Sequence, residues 1–532
     1  MTATTSATKH PKGLYVLFFT EMWERFGYYL MLGIFSLYML DGWENGGMGF
    51  SSLKKSDIYG TYIGLVYLTP FVGGLLADRI LGYRKSIFAG GLLMAAGYLS
   101  LAIHDTTAFY VGLLLIILGN GMFKPNISTL VGNLYNTDAY RANKDAGFNI
   151  FYMGINVGAF VCNFVAAYMQ INWGWGYAFA AAGVGMLIGL VIFAFGTKHV
   201  KEADVIKPVQ AGDMSTGRIL LITLLPMFVF GVLGYLIPGN LLGTDTNDAF
   251  IFGCIPVIAF FIYLYAKANA EDKRPIGALL AVFGCLVIFW AVFHQNGDAL
   301  TVFAKDHTDR EMSTGISDVA DKMGMAQTVT NTGASTDANS ANYFASMAQE
   351  RVPAEGGSLK LYSTQLYQSI NPFWVVLLTP VIVGFWGFMR SRRKEPTTPT
   401  KIAIGLVITA LSALVMVGAV VATNNLESKA SSLWLIASYG VITIGELCLS
   451  PMGLSLVSKL SPPRITALMM GGFFLSTSVG NKLSGMLSGL WEGFEHKTHF
   501  FYMNFGLAMA AALMLFLMLR WLNGVMREKN IY

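Results

Sequence analysis

Charge is what this 532-residue chain has least of. Asp, Glu, Lys and Arg make up 13% of it, against about 25% in soluble domains. That deficit excludes a string of soluble domains. The surplus of positive over negative side chains is only five, which excludes an extended nucleic-acid surface. Cysteine is scarce too: Cys162, Cys254, Cys285 and Cys448 all lie in apolar runs without ligand spacing, as small buried hydrophobes do. No zinc spacing, nucleophile elbow or phosphate loop is present, which argues against an enzyme and against a metal or organic cofactor. Apolar residues, at 54%, and glycine, at 58 positions, dominate instead. The chain reads as an all-α polytopic membrane protein in contact with a lipid bilayer.

Crossing the hydrocarbon layer as a helix takes about 20 apolar residues. Segments of that kind recur at 14-40, 57-76, 86-103, 107-132, 146-170, 175-197, 218-239, 249-269, 275-303, 366-390, 402-422, 431-458, 464-488 and 501-524. The first carries Glu21, Glu24 and Arg25 at mid-length and lacks a small-residue cleavage pattern, so it reads as a retained span and not a signal peptide. With both termini cytoplasmic, inside segments hold 24 of the 36 basic residues and outside segments nine. This is the asymmetry expected of short cytoplasmic loops. Residues 304–365 form the one long loop, polar and rich in Ser, Thr, Asn and Asp. Two roles fit it: a lid over an external opening or a passive exposed insertion.

The informative charges lie inside the spans. Glu21, Glu24 and Arg25 share a helical face, which Tyr28 and Tyr29 extend. A charged side chain facing lipid costs about 2.5–3.5 kcal/mol on insertion scales, so three in one span call for a polar interior. A structural ion pair between Glu21 and Arg25 is the alternative, and it leaves Glu24 unexplained. Lys124 sits in a span made irregular by Gly119, Gly121 and Pro125 and needs a carboxylate or an anionic ligand. Glu446, beside Gly445 and upstream of Pro451, is an isolated carboxylate in the second half. Positive Arg25 and Lys124 opposite negative Glu446 suit a zwitterion such as a small peptide. Asn156, Trp290, His294, Gln295 and Asn371 add polar or aromatic groups within apolar spans, and Asp298 and Lys482 are structural or gating candidates. Between the second and third spans, the turn from Gly73 to Lys85 contains glycines for close helix approach. Asp78, Arg79 and Arg84 in that turn are suited to tying helices together in one state and releasing them in another. Residues Gly387 to Lys394 form a looser copy.

Glu21-Met22-Trp23-Glu24-Arg25-Phe26-Gly27-Tyr28-Tyr29 resembles the first-helix signature of the proton-coupled oligopeptide transporter family, within the major facilitator superfamily. Gly74 through Arg84 resembles the superfamily's short cytoplasmic motif, and Phe148 through Gly158 the family's fifth-helix signature. Glu446 with Ser450-Pro451-Met452-Gly453-Leu454, and Gln368-Ser369-Ile370-Asn371-Pro372, match further elements. The resemblance implies a major facilitator fold of two six-helix bundles plus two additional helices. The corresponding domains are 1-197, a linker with two helices at 198-273, and 274-532 including 304-365. It implies import of dipeptides and tripeptides with protons as the coupling ion, across a bacterial inner membrane, without an obligate protein partner. Arg25 and Lys124 would receive the carboxyl end of the peptide and Glu446 its amino end. Asn156 and Asn371 would orient it, with Tyr28, Tyr29, Tyr67 and Trp290 shaping the pocket. Glu21 and Glu24 would couple protons beside Arg25, with His294 a further candidate.

The chain departs from the family pattern at Leu30-Met31-Leu32, where relatives carry Gly-Met-Arg, and at Gly60, where mammalian relatives carry a histidine. At His294 relatives often have an acidic residue. A proton-driven multidrug or small-anion exchanger of the same fold is the alternative function. A passive channel fits the apolar spans but not the paired charges.

Overall fold

In a computed structural model the protein is described over residues 10–138, 140, 143–205, 216–331, 343–462 and 465–529. The helices are α1 (Lys12–Leu40), α2 (Ser52–Leu76), α3 (Tyr83–Leu101), α4 (Thr106–Leu134), α5 (Lys144–Trp173), α6 (Trp175–Gly196), α7 (Thr216–Tyr235), α8 (Asp245–Lys267), α9 (Ala270–Phe293) and α10 (Ala299–Asp306). They continue with α11 (Thr314–Lys322), α12 (Ile370–Ser391), α13 (Thr398–Ala422), α14 (Ser432–Leu460), α15 (Thr466–Gly489) and α16 (Lys497–Glu528). Among the described residues, nine helices are long and apolar enough to cross a membrane by length and composition. Helix α1, with its three mid-length charges, is not one of them.

Two compact units form, and neither is one continuous stretch of chain. The first comprises Met1–Gly33 and Leu68–Ile219, the second Ile34–Tyr67 and Leu220–Tyr532. Thus the last quarter of α1 and the first two-thirds of α2 pack with the C-terminal helices.

Hydrophobicity alone gives helices in lipid little reason to associate, so small residues that let backbones touch carry the packing. In the first unit Gly158 of α5 lies on the α1 backbone at Met22, and Gly73 of α2 on the carbonyl of Gly121 in α4. In the second unit Gly60 of α2 faces Gly485 of α15, and Gly405 of α13 faces Gly445 of α14. A side chain at Gly60, histidine included, would collide with the α15 backbone. Phe303, Met416, Val420, Leu435, Tyr439, Trp491 and Phe500 join in one buried aromatic and aliphatic cluster of the second unit.

The ninth apolar segment, read as one span over 275-303, is broken. Helix α9 stops at Phe293, a tight turn occupies His294–Gly297, and α10 restarts at Ala299. Freed carbonyls are adopted by neighbours: Asn296 O accepts from Thr301 Oγ1 at 3.0 Å, Gln368 Nε2 at 2.9 Å and Tyr439 OH at 3.2 Å. Such breaks persist at membrane depth only when other groups satisfy the backbone.

The described part of the long polar segment is folded. Strand β1 (Thr308–Asp309) pairs in parallel with β4 (Ala430–Ser431), and β2 (Ala326–Thr330) pairs antiparallel with β3 (Ser358–Tyr362) in the register Ala326 to Tyr362. Val329, Tyr343, Met347 and Leu361 form a small core of its own. Buried Arg310 ties the segment together through Gln327 Oε1 at 2.8 Å and Tyr362 O at 2.6 Å. Burial beside Phe303 and Trp491 pushes the His307 imidazole down to about 4, with Asp306 acting in the opposite direction. Lys429 lies over the Tyr343 ring at 4.1 Å, and its burial lowers the ammonium to about 8.

Candidate functional site

The first unit gathers the α1 charges around one guanidinium. Helical offsets of three and four bring Glu21, Glu24 and Arg25 onto one face, and all three are buried. Arg25 Nε lies 3.1 Å from Glu21 Oε1, and Arg25 Nη2 donates to Glu24 Oε1 at 2.8 Å. Both carboxylates therefore share Arg25, which accounts for Glu24 as a simple Glu21–Arg25 pair does not. The guanidinium also stands 5.1 Å from the ring centre of buried Tyr28, whose ring contacts Tyr29. Lys124, half-buried on α4, adds an attractive charge at both Glu21 and Glu24. Two acids and two bases make the cluster neutral when all are ionised. One added proton leaves it with a net positive charge, ready for a carboxylate.

On α5, Asn156 donates to the Tyr152 carbonyl at 3.0 Å, within its own helix. Tyr152 itself feels the charge of Glu21. It lies in the Phe148–Gly158 stretch, but nothing local marked it as a neighbour of the carboxylates.

At the turn after α2, backbone residues Ala77–Leu81 form a widened helical turn, ended by Gly82 at φ +79°. A positive φ suits glycine. The side chains of Asp78 and Arg79 lie outside the described residues. Arg84 pairs with Asp204, Nε to Oδ2 at 2.8 Å, and Asp204 Oδ1 accepts from Tyr83 N at 2.7 Å. The α3 N-terminus is thus capped by an aspartate that follows α6. Sequence reasoning missed Asp204 because it sits in a polar linker far along the chain.

The second unit holds two groups of the predicted residues. Asn371 Nδ2 donates to Thr443 Oγ1 at 2.9 Å and to Glu446 Oε2 at 3.1 Å, so α12 orients the half-buried carboxylate of α14. Separately, buried His294 packs 5.2 Å from Trp290 and 6.0 Å from Tyr67, ring centre to ring centre. Among the described residues no acceptor reaches the buried Trp290 Nε1.

Near the start of α2 are two ion pairs with buried lysines whose partners the sequence did not signal. Lys55 pairs with Asp298, the residue that follows the break in α9, and Ser36 of α1 donates to Gly297 O at 2.8 Å. Lys482 of α15 pairs with Asp57 at 2.7 Å and donates to Thr61 Oγ1 at 2.6 Å. Lys55 escaped because SSLKKS reads as a polar loop, whereas α2 already begins at Ser52, and Asp57 escaped as the first residue of the 57-76 segment.

A family model described as the POT family matches residues 84–329 and 338–504. The chain belongs to the POT family. Among curated relatives of this POT family chain, the uncharacterized transporter YclF of Bacillus subtilis is 31% identical over 498 residues, covering 92% of this chain and 90% of that protein. A di-/tripeptide transporter of Lactococcus lactis subsp. lactis is 30% identical over 504 residues, covering 92% and 91%. Among solved structures, the peptide transporter POT in complex with sulfate superposes with a TM-score of 0.78 at 30% identity, over 98% of this chain and 96% of that one. A POT family transporter bound to 5-aminolevulinic acid gives the same TM-score at 25% identity, over 96% and 97%. This POT family member is accordingly a bacterial multi-pass membrane protein, all-α in its spanning part.

Proposed function

We propose that this chain is a proton-coupled symporter that imports di- and tripeptides, and that its work is transport, not catalysis. The observation that carries the reading is the sharing of Arg25 by Glu21 and Glu24 beside Lys124. The names of its relatives, a di-/tripeptide transporter among them, support it. All fourteen long helices span the bilayer of the inner membrane, twelve as two six-helix bundles (1–197 and 274–532) and two, α7 and α8, in the linker 198–273. Both termini are cytoplasmic, which places the 304–365 segment outside.

A proton on Glu21 or Glu24 loosens its hold on Arg25 and Lys124 and frees positive charge for the peptide carboxylate. Glu446, steadied by Asn371, receives the peptide ammonium. The Trp290 indole N–H, Tyr28, Tyr29, Tyr67 and Asn156 line and orient the ligand, and His294 is a further proton carrier. Asp78, Arg79 and Arg84 control the cytoplasmic opening in an alternating-access cycle. Each proton moving inward across 100 mV releases about 2.3 kcal/mol, which can drive concentrative uptake.

Proteoliposomes holding the full chain, given an inward proton gradient, should accumulate labelled dialanine. Competition by dipeptides but not by lipophilic cations is expected; the reverse would favour a multidrug exchanger. Unimpaired gradient-driven uptake by Glu21→Gln or Lys124→Ala would sink the coupling assignment.

A further inference from the structure

One of the two linker helices is built into the transporter more tightly than a linker requires. Asp57 of α2 is a junction of three helices. It accepts from Lys482 Nζ of α15 at 2.7 Å and from Thr246 Oγ1 in the first turn of α8. Lys482 is fully buried and its other hydrogen bond goes to Thr61 on α2. Below this junction α2 and α15 touch along their backbones: Gly60 faces Gly485, Ser478 Oγ donates to Gly64 O at 2.7 Å, and Asn481 Nδ2 to Ile63 O at 3.3 Å. Helix α8 flanks the same seam. Its Phe250 ring lies against Gly64 of α2, and its Phe261 against Gly472 of α15.

The end of α8 that presents Thr246 is held by local hydrogen bonds. Thr244 caps the helix by accepting from Asn247 N at 3.1 Å. Asp248 accepts from Leu241 N and Leu242 N at 2.8 and 2.9 Å, which fixes the preceding loop. Its companion α7 exposes Leu221, Leu225, Phe228, Leu233 and Tyr235. The two linker helices therefore differ in what they present: α8 reaches the Asp57–Lys482 pair through Thr246, and α7 shows a row of exposed apolar side chains.

We propose that α8 is a clamp on the α2–α15 seam, with Thr246, Asp57 and Lys482 as positioning residues that set how readily the outer end of α2 separates from α15. The proposal rests on the transport reading for its orientation and for its effect on turnover. Thr246 supplies a second donor to a carboxylate that Lys482 also holds, and a hydrogen bond to a charged group is among the stronger ones. Without it the seam parts more often. Because none of the three is assigned to the peptide, the change falls on the rate of cycling and not on peptide affinity.

The test uses the full chain with spin labels on cysteines replacing Leu53 and Leu490, two exposed positions at the outer ends of α2 and α15; the four native cysteines are buried. Thr246→Val should raise the long-distance population by at least about threefold and change the maximal dialanine exchange rate with KM unaltered, whereas Thr246→Ser should behave as the parent. Thr246→Ala carries the same expectation if the valine variant does not fold. Distances and exchange rates in Thr246→Val and Thr246→Ala equal to those of the parent would overturn the clamp. So would a change confined to KM. If the parent itself moves no dialanine, the transport reading falls, and the label populations still decide the clamp.

Discussion

Two sets of buried charges in this protein obey different arithmetic. Around Arg25 two carboxylates compete for one guanidinium, with Lys124 near both. At the start of α2 each cation has one carboxylate, Lys55 with Asp298 and Lys482 with Asp57. A matched pair is costly to break, because removing one partner strands the other in a medium that cannot solvate it. A shared cation tolerates the loss of one carboxylate, since the other remains. The first arrangement suits a site that must gain and lose protons on every cycle, and the second suits a seam that must stay shut until something larger opens it.

The sharpest way to break this contrast is to remove one member of a matched pair. Lys55→Met should destabilise the protein by about 3–5 kcal/mol, seen as a lower thermal midpoint, and Lys55→Met with Asp298→Leu should recover most of the loss. Glu24→Gln should lower the midpoint less than Lys55→Met does because Arg25 and Lys124 keep Glu21, yet lower gradient-driven dialanine uptake by about tenfold or more. Equal destabilisation by the two changes would erase the distinction.

Outside the membrane the contrast can be sharpened with pH. Burial holds His307 near pH 4 against an ordinary 6.5, so the unfolded segment takes a proton first. The stability it contributes is complete above about pH 6.5 and is lost as pH falls toward 4, by at most about 3 kcal/mol. Hydrogen exchange of residues 307–311, corrected for intrinsic rates, should show this slope, and His307→Phe should flatten it. Glu395 has the opposite environment. Hydrogen bonds from Arg390 and Lys401 pull its carboxyl down to about 2, so its contribution is present above about pH 4.5 and is lost as pH falls through 2. Glu395→Gln at neutral pH should shift the thermal midpoint by about two degrees or less, because its Arg390 partner is largely exposed although Lys401 is buried.

Legibility followed the range of the forces involved. The face shared by Glu21, Glu24 and Arg25 depends on helical spacing within five residues, and it could be read directly. The Asn371–Glu446 contact joins helices 75 residues apart and was reachable only as separate polar marks in apolar runs. Asp298 and Lys482 stood out as misplaced charges, but their partners Lys55 and Asp57 did not, because a charge near a helix start looks like loop. The 304–365 segment showed polar composition and no fold, since its core of four side chains joins positions as far apart as Val329 and Leu361.

By itself the sequence determined the membrane class, the positions of the apolar segments and the charges that cannot face lipid, because hydrocarbon thickness and helical periodicity are local constraints. Only the tertiary structure decided which carboxylate meets which cation, that Asp204 caps α3, that the ninth segment breaks at His294–Gly297, and that α8 grips Asp57. Those contacts depend on where glycines let distant backbones approach, and the energy of a buried charge depends on the partner that the approach delivers.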